Sequence, residues 1–149
     1  MEIQTKAYGP VEIDERQTLY FSHGLLGFEE YHSYALIDSR QPPFFILQSL
    51  DEREIAFVVL SPEVFRNDFS LDLATGDLDD LEWGDDEELL VLAIVTIPRD
   101  GRPMTANLQG PLVMNRKKKL GKQVIQVGGP WKTRHNILEE MSKMGAEEC

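Results

Sequence analysis

The sequence has little cysteine, few basic residues and no long apolar run. Its one cysteine, Cys149, is the last of 149 residues, which excludes an intramolecular disulfide and a thiolate metal cluster. No apolar run approaches the roughly 18–20 residues that a bilayer-spanning helix needs. The first residues lack the basic segment and apolar stretch of a secretory signal. We therefore expect a cytoplasmic protein without a membrane segment.

The charge is strongly negative and unevenly distributed. There are 26 Asp and Glu against 15 Lys and Arg, a formal net charge of −11. Residues 1–98 carry 21 acidic and 5 basic side chains, whereas residues 99–149 carry 5 and 10. This balance argues against nucleic acid as a direct ligand, because phosphate binding requires clustered Lys and Arg. It favours attraction of basic partners.

Proline and glycine divide the chain into short β-rich segments. With 42% apolar residues and this length, we expect one domain over residues 1–149. The spacing predicts an all-β, mainly antiparallel barrel or sandwich. A C-terminal helix is predicted at about 130–144, with Gly145 as a stop. The predicted strands cover residues 3–7, 11–14, 18–21, 34–38, 44–50, 54–60, 89–97, 104–108, 111–115 and 123–127.

An acidic stretch at about residues 76–88 is predicted to be a solvated loop, since like charges repel and extend the chain. A calcium loop was the alternative, but Leu81 and Glu82 occupy the positions that need a ligand and a glycine. The acidic residues of the stretch are Asp77, Asp79, Asp80, Glu82, Asp85, Asp86, Glu87 and Glu88.

Motifs for catalysis are missing. The sequence contains no nucleophile elbow and no phosphate-binding glycine loop, and its three histidines lack the spacing of metal ligands. We therefore expect no enzymatic activity, no metal and no cofactor. The basic run Arg116–Lys119, with Lys122 nearby, predicts a solvated turn between two strands or a contact for an acidic protein segment.

Amides stand within or beside otherwise apolar strands, at Gln48, Asn107, Gln109 and Asn115. One interpretation is that they satisfy backbone groups at strand ends. The other is that they line an edge or groove which offers donors and acceptors to a partner's backbone. The sequence leaves both interpretations open.

Several blocks of the sequence form a recognisable ordered set. They are Gly24–Glu29, Pro43–Ser49, Ala56–Val59 with Ser61-Pro62, Thr105–Asn115 and Gly121–Ile125. In this order they resemble the FliW family of bacterial flagellar assembly factors. One departure is Leu26, where the family commonly has proline.

The resemblance implies a small split-barrel-like β-barrel that binds proteins and has no catalytic activity. Similar proteins bind CsrA, a small basic RNA-binding dimer, and keep it from flagellin mRNA by an allosteric route. They also bind flagellin, which competes for the factor and so releases CsrA. We expect a monomer with these two partners. The alternative is a split-barrel protein or enzyme that binds a flavin-type cofactor.

The two partners suggest two sets of residues. The carboxylates of the acidic stretch would steer a basic dimer. An apolar groove would hold a helical flagellin segment, although each apolar candidate taken singly is better explained as core. The groove candidates are Phe44, Leu47, Leu108, Leu112 and Met114, with Gln48, Asn107, Gln109 and Asn115 as polar guides.

Overall fold

The computed structural model describes residues 1–73, 76, 77, 79–84 and 88–148. Residues 146–148 are described by their backbone alone. Within these ranges the chain forms ten strands, one α-helix and three short 3-10 helices, the latter at Glu15–Gln17, Pro62–Val64 and Asp79–Leu81. The strands are β1 Glu2–Thr5, β2 Gly9–Glu12, β3 Thr18–Phe21, β4 Ser33–Asp38, β5 Phe45–Ser49, β6 Ala56–Leu60, β7 Leu89–Thr96, β8 Thr105–Asn115, β9 Leu120–Gln123 and β10 His135–Asn136, followed by helix α1 Ile137–Glu148.

Seven of these strands close into a barrel. Strands β8, β7, β6, β5, β4, β3 and β9 are paired in that order, and β9 pairs again with β8. All the pairs are antiparallel except β3 with β9. Strands β1 and β2 form a separate hairpin, and β10 adds to the start of β8. The predicted all-β class and barrel are confirmed.

Alternation of side chains fills the barrel. On β4, Tyr34 and Leu36 belong to the interior cluster, whereas Ala35 and Ile37 face an outer cluster. This is the period of two expected of a strand that is buried on both faces. The buried residues of the interior cluster are Leu19, Phe21, Leu25, Tyr34, Leu36, Leu47, Val59, Leu92, Leu112 and Met114.

Three segments cover the outside of the barrel, each over an apolar cluster of its own. The β1–β2 hairpin covers β4 and β5 through Ile3 and Ile13. Phe65, Trp131 and the start of α1 cover β6, β7 and β8. The acidic stretch covers the outer face of β8 and β9 through Leu81.

The predicted element bounds differ most from the structure in three places. The segments 104–108 and 111–115 form one strand, β8, because the chain between them bulges without leaving the sheet. Strand β9 starts at Leu120 and pairs with β8 up to Gln123. The helix begins at Ile137, seven residues later than predicted, and continues past Gly145 to Glu148.

Residues 130–134 are not helical because they lie along β8. The Lys132 carbonyl accepts hydrogen bonds from Leu108 N (3.0 Å) and Gln109 N (3.1 Å), and His135 pairs with Ala106. The helix then starts where Asn136 Oδ1 accepts from the backbone N–H of Glu139 at 3.0 Å, as at a helix N-cap. No helix in the described ranges is long and apolar enough to cross a membrane.

A polar network joins α1 to the barrel. Glu140 Oε1 accepts from Arg66 Nη1 at 2.6 Å and lies 2.9 Å from His135 Nδ1. The Lys132 N–H donates to His135 Nε2 at 2.8 Å, so the proton on this ring is at Nδ1 and is donated to Glu140. His135 is buried and Glu140 nearly so. We call Arg66, His135 and Glu140 the Glu140 network.

The Tyr34 hydroxyl is buried in the barrel without a hydrogen-bond partner among the described residues. Burial, with the negative charge of Asp51 as a smaller cause, raises the pKa of Tyr34 to about 12. A buried donor without an acceptor carries its full desolvation cost.

Replacing Tyr34 by phenylalanine is therefore expected to raise the free energy of unfolding by about 1 kcal/mol at neutral pH. The pH dependence should change too. The folded pKa lies above the unfolded value of roughly 10, so the unfolded state loses this proton first as pH rises. The free energy of unfolding of the wild type is therefore unaffected by this group below pH 10 and falls between about pH 10 and pH 12. Urea unfolding from pH 8 to 11 should show a shallower loss of stability for Tyr34→Phe than for wild type. An equally steep loss would contradict this account.

Candidate partner-binding surface

Four of the sequence-predicted partner residues are buried. Leu47 and Leu108 have no exposed surface. Leu47 belongs to the interior cluster of the barrel, and Leu108 belongs to the cluster under α1. Gln48 and Asn115 are also fully buried. Their partner-binding role stays a prediction, but in this structure their side chains offer no surface to a docked protein. The apolar candidates Leu112 and Met114 lie inside the barrel as well.

The buried amides satisfy backbone groups of the chain itself. Gln48 Oε1 accepts from Lys6 N at 2.9 Å, and its Nε2 donates to the Arg53 carbonyl at 3.0 Å. Asn115 Nδ2 donates to the Leu81 carbonyl at 2.8 Å. These bonds tie the hairpin and the acidic stretch to the barrel. Of the two interpretations of the amides, the structural one applies to Gln48 and Asn115.

Phe44, Asn107 and Gln109 are only partly buried. Phe44 packs against the cluster under α1, apart from the interior of the barrel. Asn107 and Gln109 lie at a bulge of β8, where Leu92 pairs with Leu112 but Ile94 pairs with Asn107. One residue of β7 therefore faces four residues of β8, numbers 108–111. Such bulges re-aim side chains at sheet surfaces.

The bulge is held by close packing around Gly110. Its N–H donates to Asn107 Oδ1 at 2.8 Å, and its carbonyl accepts from Gln123 Nε2 at 3.0 Å. A Cβ at this position would lie 3.0 Å from Gln123 Nε2 and 3.3 Å from Ile125 Cδ1. A residue larger than glycine would therefore displace the side chains of Gln123 and Ile125.

Gln123 connects the bulge to the turn after β3. Its Oε1 accepts from the Leu26 N–H at 2.8 Å. The turn folds back on itself at Gly24, which has a φ of +64° and would place a Cβ 2.6 Å from the Glu29 Cα. The Leu26 side chain is left 71% exposed.

Beyond β9 the chain continues beside the bulge, with two of its apolar side chains exposed. Val124 N donates to the Pro111 carbonyl at 2.9 Å, and Gln126 N donates to the Gln109 carbonyl at 2.7 Å. Val124 and Gln126 are buried, whereas Ile125 is 52% and Val127 90% exposed. We call Leu26, Ile125 and Val127 the apolar surface.

The acidic stretch borders the apolar surface and is attached to the barrel. Lys122 Nζ lies 3.2 Å from Asp77 Oδ1 and 2.6 Å from Asp80 Oδ2. The hydrogen bond from Lys122 lowers the pKa of Asp80. Leu81 is fully buried against Val113 and Val124. The described part around Leu81 is thus packed on the barrel, and the prediction of a solvated loop is wrong for Asp79–Leu81, which form a 3-10 helix.

The predicted steering carboxylates divide into three groups. Asp77 and Asp80 are held by Lys122. Asp79, Glu82 and Glu88 are exposed, and no ion pair with another described residue is formed by them. The remaining three lie outside the described residues: Asp85, Asp86 and Glu87.

The basic run Arg116–Lys119 forms the predicted turn between β8 and β9. Lys119 Nζ lies 3.2 Å from Glu15 Oε1, and Lys122 beyond the turn holds two carboxylates. Within this run, Lys119 is therefore paired with an acidic group of the same chain.

The residues of the apolar surface were missed by sequence reasoning. The pattern Val124-Ile125-Gln126-Val127 predicts that Gln126 faces solvent and its apolar neighbours face the core. Gln126 is buried instead, because its Oε1 accepts from Asp72 N at 2.9 Å and its Nε2 donates to the Leu108 carbonyl at 2.9 Å. The sequence did contain one indication of an exposed apolar surface, which was the position of the apolar Leu26 in a turn bounded by glycines.

Comparisons with known proteins agree with one another. The model of the FliW protein family matches residues 2–137. The flagellar assembly factor FliW of Treponema denticola is 48% identical over 145 residues, covering 97% of this chain and 99% of that protein. That of Treponema pallidum is 43% identical over 148 residues, covering 99% of each. A crystal structure of the flagellar assembly factor FliW superposes with a TM-score of 0.85 at 34% identity, covering 92% of this chain and 96% of the other.

Proposed function

Because the chain belongs to the FliW family of flagellar assembly factors, we propose that it controls flagellin production by binding two proteins in turn. The first is the translational regulator CsrA, whose binding to flagellin mRNA it antagonises from a site outside the RNA-binding surface. The second is flagellin, which competes for the factor and so frees CsrA. The observation that carries the proposal is an exposed apolar surface next to carboxylates that no described cation neutralises.

The charges support a basic partner. Asp79, Glu82 and Glu88 lie exposed on a cover that Leu81 and Lys122 hold against the barrel. Carboxylates fixed to a rigid body produce a directed field, which raises the rate of encounter with a basic dimer. After docking, the same field opposes the approach of RNA phosphates. Such coupling is reciprocal, so RNA weakens the binding of this protein to CsrA by the same factor.

We also propose that the protein works without catalysis, in the cytoplasm and as a monomer. Both ring nitrogens of His135 are used by Lys132 and Glu140, and His32 Nδ1 bonds the Phe21 carbonyl at 2.8 Å. The remaining histidine, His23, is exposed beside Asp80. Within the described residues, none of these rings is hydrogen-bonded to a hydroxyl or thiol, which supports a binding role.

The test is a three-component titration. Fluorescence anisotropy follows a labelled flagellin mRNA leader bound to CsrA as this protein is added. We expect the RNA to be released, excess RNA to leave part of the inhibition in place, and flagellin to restore RNA binding. Full reversal by excess RNA would indicate direct competition. The proposal would be contradicted if adding this protein left RNA binding by CsrA unchanged, or if adding flagellin did not restore that binding.

Neutralising Asp79→Asn, Glu82→Gln and Glu88→Gln together should slow association with CsrA several-fold at low salt. The difference should vanish near 1 M salt, where the Debye length falls to about 3 Å. Stopped-flow mixing measures the rate. The control changes net charge equally elsewhere on the surface, at Glu2, Asp38 and Glu63. Equal rates for the two triple variants would show that the acidic stretch has no special part in steering.

A further inference from the structure

The chain that begins as β9 extends beyond the end of its neighbour β3. Strand β9 lies between β8 and β3, and Gly121 is paired with Phe21, the last residue of β3. The chain then stays extended along β8 to Gln126, whose N–H reaches the Gln109 carbonyl. On the β3 side, the Leu26 N–H of the turn after β3 donates to the side chain of Gln123.

This leaves an open strand edge at Ile125 and Val127. In an antiparallel pair, alternate residues direct both backbone groups towards the partner strand. Val124 and Gln126 face β8, so the N–H and C=O groups of Ile125 and Val127 point away from it. Within the described part of the chain, these groups have no hydrogen-bond partner. The open edge is therefore defined by Ile125 and Val127.

The open edge lacks the usual protection. Sheet edges are commonly guarded by lysine, proline or a covering loop, because unpaired backbone groups invite another strand. Here the two residues are apolar and exposed, and Leu26, whose N–H is bonded to the side chain of Gln123 in the same strand, is exposed as well. An added strand would thus find backbone partners and apolar contacts at the same place.

The charges around the open edge favour a basic occupant. Asp72, whose N–H is bonded to Gln126, is exposed and forms no ion pair with a described residue. Glu29, in the turn that carries Leu26, is also exposed, and its bond from the Gly27 N–H lowers its pKa. A second copy of this chain would bring the same carboxylates together at a net charge of −11.

We propose that the open edge receives an extended segment of a basic partner by strand addition, with apolar side chains against the apolar surface and Lys or Arg beside Asp72 and Glu29. The inference rests on the proposed function, in which CsrA is the basic protein. Backbone hydrogen bonds supply the affinity in this mode of recognition, and alternate side chains supply the specificity.

Amide hydrogen exchange, read by NMR for the full-length protein with and without CsrA, tests the edge directly. In the free protein the amides of Ile125 and Val127 should exchange fast and that of Gln126 slowly. Binding CsrA should slow the first two by about tenfold or more, the equivalent of one added hydrogen bond each. A complex that leaves both amides as fast as before would overturn the inference.

Val127→Pro provides a matched variant, because it removes the outward N–H and keeps an apolar side chain. Val127→Ala is its control, since it keeps the N–H. Calorimetry should show CsrA binding about tenfold weaker for proline and nearly unchanged for alanine. Slow exchange at Gln126 in the proline variant verifies that the strand is intact. Equal affinities for both variants would refute strand addition while leaving the proposed function in place.

Two other outcomes are also decisive. If the wild-type protein binds neither CsrA nor flagellin, the proposed function fails and this inference with it. If the two amides become protected as the concentration of this protein alone rises, with a dimer in sedimentation, the occupant is a second copy and the assignment to a basic partner is wrong.

Discussion

Replacing Gly121 by valine should cost about 3 kcal/mol of unfolding free energy, because the barrel has no room for a side chain there. A Cβ at this position would lie 2.4 Å from Cζ of Phe21, which is itself fully buried. Phe21 packs edge-on against Tyr34, with ring centroids 5.5 Å apart, so it cannot simply turn aside. Urea unfolding followed by circular dichroism measures the loss.

The cause of this loss can be separated from a general intolerance of change. Gly121→Ala should cost less than valine, and combining it with Phe21→Leu should cost less than the two single changes added together. Gly145→Ala is the control, since nothing lies within 4 Å of a Cβ at that helical position. Additive losses at 121 and 21 would show that the clash with the ring is not the reason.

Replacing Glu140 by alanine should destabilise the protein by about 2 kcal/mol and loosen the start of α1. The change leaves the buried His135 Nδ1–H without its acceptor and removes the 2.6 Å contact to Arg66. Arg66 keeps Asp68, which accepts from its Nε and Nη2 at 2.8 Å each. Chemical unfolding gives the loss, and faster amide exchange in α1 locates it.

A double-mutant cycle distinguishes the ion pair from the histidine bond. If Arg66 contributes through Glu140, Arg66→Met should cost much less in the Glu140→Ala background than in wild type. Fluorescence supplies a local readout, because the Arg66 guanidinium lies 4.8 Å from the centre of the Trp131 ring. Lys143→Ala, on an exposed i, i+4 pair with Glu139, should change stability by less than about 0.5 kcal/mol. A loss at Lys143 comparable to that at Glu140 would contradict the importance of burial.

Local pattern was sufficient for the strands of the barrel and insufficient for its closure. Strand β3 was predicted at its observed bounds, and β4 within one residue, because β-branched and aromatic residues there are bounded by turn residues. The parallel pair of β3 with β9 joins residues about 100 positions apart. No periodicity along either strand carries that information.

The helix start was missed for a reason visible in the sequence. Pro130 and Trp131 resemble the first turn of a helix, but Trp131 packs on Phe69 with ring centroids 4.9 Å apart. The better signal was Asn136 three residues before Glu139, the spacing of an N-cap. Tertiary contacts outweighed the apparent helical spacing of the apolar residues.

The proposed partner surface was the least predictable part. Hydrophobicity alone does not distinguish a core leucine such as Leu108 from an exposed one such as Leu26. The side chains alternate from Val124 to Val127, but the polar Gln126 is on the buried side because both ends of its amide find backbone partners, and this leaves Ile125 exposed. Burial of a satisfied polar group is set by the surrounding chain, which the sequence pattern does not show.

The three outer covers rest on separate apolar clusters, so each has its own local free energy of opening. Loss of one cover leaves the closed ring of strands and the other two in place. In a protein built in this way, one cover can open when another protein binds while the other two covers stay packed on the barrel. The proposed exchange between two partners then requires no global unfolding.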